Sequence, residues 1–129
     1  MIGVIVISES LAAKEMLKTV QKAMGRKAMQ GLEALSVKSM FSKRTLQHRI
    51  ALTMRHMNTA TGFLILSELY GSTQTNVCLS LRHKGEVEIL CGYNLPMLIK
   101  AASLNRLTTL PELVKLLTSG GRKHIRCVK

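Results

Sequence analysis

Two uninterrupted apolar runs, IGVIVI at 2–7 and FLIL at 63–66, constrain this chain more than any other feature. Neither alternates polar with apolar residues, so neither suits a strand with one wet face. Each instead suits a central parallel strand covered by helices on both sides. The first run passes directly into the polar turn Ser8-Glu9-Ser10 and then into a helical pattern opening at Leu11-Ala12-Ala13. In an open α/β sheet such a strand-to-helix turn is where ligands and reacting groups gather.

The rest of the chain repeats the alternation. Ala13, Met16, Leu17, Val20 and Met24 form the apolar stripe of a first helix that Gly25 ends. Residues 32–37 read as a second strand. Ser42 is placed to cap a helix with Leu46, Ile50, Met54 and Met57 on its inner face, and NTATG at 58–62 is turn chemistry. After the strand at 63–67, a short helix is expected from Thr73 to about Arg82, then the turn HKGE and a strand over Val87–Cys91. Pro96 and Pro111 each suit a helix first turn, Gly120-Gly121 is expected to end the last helix, and HIRCV at 124–128 to form a final strand. A βαβα order with short connections predicts a doubly wound open sheet. No repeat or low-complexity linker divides the chain, and 129 residues that are 47% hydrophobic are enough for one compact domain over 1–129.

No apolar stretch approaches the roughly 20 residues of a membrane-spanning helix, and the first residues lack the pattern of a secretory signal, so a cytoplasmic protein is expected. Cys78, Cys91 and Cys127 lack metal-ligand spacing and read as reduced, packed thiols, with no metal site expected. Nineteen Lys and Arg face seven acids, all Glu, for a net charge of +12. Lys14, Lys18 and Lys22 recur opposite the apolar stripe, as a solvated helix face does. The few aromatics are not interleaved with the basic residues as on a nucleic-acid platform. Net charge alone gives non-specific attraction, so specific nucleic-acid binding is not expected, and an acidic protein partner explains the charge equally well.

The carboxyl ends of the strands select three loops: SES after the first strand, SELYGSTQTN after the third and GYNLP after the fourth. They hold Ser8, Glu9, Ser10, Glu68, Gly71, Ser72, Thr73, Asn76 and Asn94, an assortment that makes a modest anion or partner pocket.

In order and spacing, MIGVIVISESLAA, LILSELYGSTQTN at 64–76, EVEILCGYNLPML at 86–98 and ELVKLLTSGGRKHI at 112–125 resemble the mannose-family EIIA domain of the bacterial sugar phosphotransferase system. GYNLPML is the most specific piece, because the family typically reads G-V-N-L-P-M-L there. The resemblance implies a parallel sheet of order 2-1-3-4 with a C-terminal edge strand, helices on both faces, and a homodimer. It also implies a phosphocarrier without a cofactor, taking phosphate from HPr onto a histidine and passing it to an EIIB domain, with peripheral association to a membrane permease.

The departures fall at the chemistry. Glu9 and Ser10 stand where the family has a histidine followed by glycine, and Glu68 aligns with the aspartate that orients that histidine. Of the family's G-G-S-P-x-N loop, Gly71 and Asn76 match, and Thr73 keeps a hydroxyl. A phosphocarrier needs a nucleophilic imidazole nitrogen and a carboxylate that fixes its tautomer, and a glutamate offers neither. His48, His56, His83 and His124 lie outside the three loops.

Glu9 therefore has three readings: an acid favoured by the dipole of the first helical turn, a fixed charge imitating a phosphorylated state, or an acyl-phosphate acceptor. Glu68 is either a loop acid paired with a nearby Lys or Arg or part of the site. Tyr70 is placed to wall the pocket, and Ser8, Ser10, Ser72 and Thr73 to cap helices. The expected function is an EIIA-like binding or regulatory module of a phosphotransferase system. The alternatives are a working carrier with a non-standard acceptor and a basic nucleic-acid-binding protein.

Overall fold

The computed structural model describes residues 1–37, 42–58 and 60–129. Strands β1 (Ile2–Ser8), β2 (Leu32–Ser36), β3 (Gly62–Ser67) and β4 (Val87–Cys91) form one parallel sheet in the order β2-β1-β3-β4. Helices α1 (Ala12–Met24), α2 (Lys43–His56), α3 (Thr73–Leu79), α4 (Leu95–Leu104) and α5 (Leu110–Lys123) cover its two faces, giving three layers.

The period-2 geometry of a strand sorts the apolar runs between these layers. Val4, Val6, Leu64 and Leu66 join Leu17, Val20, Leu98, Ala101, Leu113 and Leu117 in a core beneath α1, α4 and α5. Ile5, Ile7 and Ile65 point the other way, to Leu46 and Ile50 of α2 and Val77 and Cys78 of α3. Every residue of β1 is buried, so the unbroken run at 2–7 reflects a strand wetted on neither face. The methionines at 16, 24, 54 and 57 pack against these cores.

Caps set the helix starts. Ser42 accepts from the Thr45 N–H, Ser72 from Thr75, Asn94 from Met97 and Thr109 from Glu112. Pro96 and Pro111 lie in first turns, where a missing N–H costs nothing. The turn at 83–86 forms with Gly85 at φ +83°, and the expected turn at 58–62 includes Thr59, which lies outside the described residues.

Three expectations change. The helix expected to reach Arg82 ends at Leu79. Gly120-Gly121 does not end α5, which continues to Lys123. Both glycines are buried against α4, and a Cβ on Gly121 would sit 2.7 Å from the Cγ and Sδ of Met97. They are there to let two helices approach, not to stop one. The edge strand expected at 124–128 is absent: residues 125–129 carry no strand, and Ile125 and Val128 are 78% and 95% exposed.

Candidate functional site

The carboxyl ends of β1 and β3 bring two of the selected loops into contact. The Glu9 backbone N–H donates to Glu68 Oε1 at 2.6 Å, bridging the turn after β1 and the loop after β3. Glu68 is held in turn by Gln74: its own N–H donates to Gln74 Oε1 (3.0 Å), and Gln74 Nε2 donates to Glu68 Oε1 (3.4 Å). Glu68 thus bonds a backbone amide, and among the described residues no Lys or Arg forms an ion pair with it.

On its other side the turn is fastened to β2. Ser36 Oγ donates to the Ser10 carbonyl at 2.8 Å, and Ser8 Oγ donates to the same carbonyl at 2.6 Å. Ser8 Oγ also accepts from the Ala13 N–H (2.9 Å), and Ser10 Oγ from the Ala12 N–H (3.2 Å). These two hydroxyls satisfy amides that the N-cap residue, Leu11, leaves open. Glu9 precedes that cap by two residues and is exposed, so it lies outside the first helical turn, whose acid is Glu15. The helix-dipole reading of Glu9 loses its position.

The loop after β3 is built on a buried hydroxyl pair. Ser67 Oγ and Thr75 Oγ1 lie 2.7 Å apart, and Thr75 Oγ1 donates to the Leu69 carbonyl (2.6 Å). Gly71, at φ +79°, turns the chain toward the Ser72 cap in a backbone conformation that a side chain would strain. Thr73 is the first residue of α3 and exposed, so Ser72 alone of this pair is the cap. Tyr70 is not a wall: it is 84% exposed, and with Leu11 and Leu69 (59% and 66%) it is one of three exposed apolar side chains that the bridged loops carry along their rim.

The third loop contributes a residue absent from the sequence-level site. Tyr93 donates its hydroxyl to the carbonyl of Ile7 at 2.9 Å. Burial, and then the nearby Glu68 carboxylate, push this phenol from about 10 up to about 12. Asn94, besides capping α4, donates Nδ2 to the Gly121 carbonyl (3.0 Å) and locks α4 to α5. Asn76 is not brought to the bridge. It lines a hollow between α2 and α3 with Lys43, Gln47 and Ser80.

A family model described as the PTS system fructose IIA component, EIIA-man, matches residues 3–117. The chain belongs to the EIIA-man family. No curated protein matches it in sequence. Its fold is similar to that of the mannose/sorbose specific IIA subunit of the phosphotransferase system from Enterococcus faecalis, at 23% identity and TM-score 0.85, covering 98% of this chain and 94% of that one. It is also similar to phosphotransferase system component EIIA from Streptococcus agalactiae (21%, TM-score 0.83, 98% and 97%). A third likeness is to the PTS IIA protein associated with the fucose utilization operon of Streptococcus pneumoniae (19%, TM-score 0.83, 98% and 92%).

The histidines of this EIIA-man chain lie away from the bridged loops. His48 and His56 are exposed on α2, and His83 stands in the turn that leads into the amino end of β4. His124 follows α5, with Nδ1 2.7 Å from the Gly120 carbonyl. Cys78 is buried and its thiol pushed from 9.0 up to about 11 by desolvation, Cys91 is half-buried, and Cys127 is exposed rather than packed. Lys14, Lys18 and Lys22 are exposed, the solvated face their spacing predicts. Among the described residues no helix is long and apolar enough to cross a membrane.

Proposed function

We propose that the chain is an EIIA-like binding module of a phosphotransferase system, one that docks partner proteins at the carboxyl end of its sheet and carries no phosphate itself. The observation that supports it most is the bridge from the Glu9 N–H to Glu68 Oε1. In a histidine carrier the carboxylate at the second position serves an imidazole, fixing which nitrogen is nucleophilic. Here position 9 supplies a carboxylate, and the acid at 68 is committed to the backbone of that same turn.

The hydroxyls make poor substitutes. Ser8 is buried, with its oxygen both donating and accepting, and Ser10 accepts an amide at the helix start. Glu9 instead puts a fixed negative charge on the rim, a partial imitation of a phosphorylated residue with one charge in place of nearly two. The occupant of the rim is an HPr-like or EIIB-like protein that covers Leu11, Leu69 and Tyr70. The resemblance further suggests a cytoplasmic homodimer associated peripherally with a permease.

Calorimetric titration with HPr-like and EIIB-like proteins from the same genome tests the docking. Micromolar binding by one of them is expected, weakened at least tenfold by L69D or Y70A and little changed by K22A on the far part of α1. No binding by either, or binding indifferent to the rim substitutions, would refute this reading.

A further inference from the structure

The route that Tyr93 takes to Ile7 has a consequence for the cleft. Tyr93 follows β4, and the sheet order places β3 between β4 and β1. The N–H of Gly92 donates to the carbonyls of Ser67 and Glu68 (3.0 and 3.1 Å), so the chain is held beside the end of β3. From there the side chain extends to the Ile7 carbonyl on β1. It lies across the carboxyl end of β3 and at the mouth of the crevice between β1 and β3, where the direction of winding reverses and ligands of open sheets bind. It is anchored as well as placed, because its ring packs on the core under α1, α4 and α5. The charge of the Glu68 carboxylate, which holds the Glu9 N–H, also acts on the phenol.

We propose that Tyr93 is a plug: its ring, aimed by the bond to Ile7, fills the β1–β3 crevice, so that supplying an imidazole at position 9 does not by itself restore phosphoryl transfer. The inference rests on the proposed function, since it concerns why the cleft takes no phosphate. It predicts a second obstacle independent of the acceptor. The close packing of a protein interior gives a phosphoryl group no room beside a seated phenol ring.

The test is phosphoryl transfer from phosphorylated HPr to E9H/E68D, compared with the same protein carrying Y93V or Y93F. In this reaction the P–N bond of the donor histidine breaks, its electron pair stays on the donor nitrogen, and a new P–N bond forms at the imidazole of the variant. Y93V, which removes the ring, is expected to raise the transfer rate at least tenfold at saturating HPr, leaving half-saturation by HPr unchanged. Y93F, which keeps the ring, stays within about threefold of E9H/E68D. A rate unaltered by Y93V, whether both proteins react or neither does, overturns the plug.

A second measurement needs no trimmed ring. In Y70F, where Tyr93 is the remaining tyrosine of two, tetranitromethane is expected to modify it at least tenfold more slowly in the folded protein than in urea. Equal rates overturn the plug. Phosphate on the unaltered chain would instead count against the proposed function, so the two failures are told apart.

Discussion

At the amino end of β1, the buried Asn105 amide donates to the carbonyls of Ile2 (3.1 Å) and Gln30 (3.0 Å), while its backbone carbonyl accepts from the Ile2 N–H (2.7 Å). At the carboxyl end, the phenol of Tyr93 holds the Ile7 carbonyl, and the exposed Glu68 holds the Glu9 N–H. Both ends of one strand are thus tied by side chains from far along the chain. Water can replace Glu68 if it is removed, but it cannot readily reach the place of Asn105. The amino-end tie holds the fold, and the carboxyl-end tie decides which groups the surface presents. Among the described residues Asn105 Oδ1 finds no hydrogen-bond partner, so the amide that makes this tie also carries a buried polar cost.

Substitutions at the two ends separate these roles. N105A leaves two carbonyls without their donor and is expected to lower stability by about 2–4 kcal/mol in urea unfolding. A loss under about 1 kcal/mol would mean the amino-end tie is dispensable. G121A sharpens the comparison, because it lies on the carboxyl side yet is buried. Its methyl group collides with Met97, and a loss of about 1–3 kcal/mol is expected by the same measurement. A neutral result would show that α4 and α5 can separate freely, and that burial is not what distinguishes the two ends.

The third effect is pH-dependent. Tyr93 and Cys78 both have folded pKa values above their unfolded ones, about 12 against 10 and about 11 against 9. Each favours the folded state fully below its unfolded value and loses that contribution as pH rises to its folded value. The urea midpoint should therefore fall from about pH 9 to pH 12, with C78A flattening the lower part and Y93F the upper. A midpoint constant over that range would contradict both assignments. The smallest change in stability is expected at Glu68: E68A shifts it by less than about 1 kcal/mol, as exposed substitutions do. Hydrogen exchange at the Glu9 amide should nonetheless accelerate in E68A and stay near the original in E68Q, which keeps an acceptor. Unchanged exchange in E68A would break the bridge at the centre of the site.

How much of this was legible in the sequence follows the range of the forces involved. The strands at 2–8 and 62–67 declare themselves because burial on both faces leaves no polar alternation, and Ser42 and Ser72 declare helix starts because a cap acts within three residues. Gly120-Gly121 reads locally as a helix stop, but contact with α4 decides their role, and α4 is some twenty residues away in the chain. The bond from Glu68 to a backbone amide could not be told from an ion pair, since both use the same carboxylate. Tyr93 stood beside Asn94 in a selected loop, but its reach over β3 depends on the strand order. An aromatic at the carboxyl end of a strand next to the switch point was the available signal.

The central claim is that this member of the EIIA-man family takes no phosphate in its cleft. Intact mass at neutral pH, after incubation with phosphoenolpyruvate, Enzyme I and HPr, tests it most directly. The account predicts an unmodified chain beside fully phosphorylated HPr, whereas one added phosphoryl group on any residue of the bridged loops would contradict it.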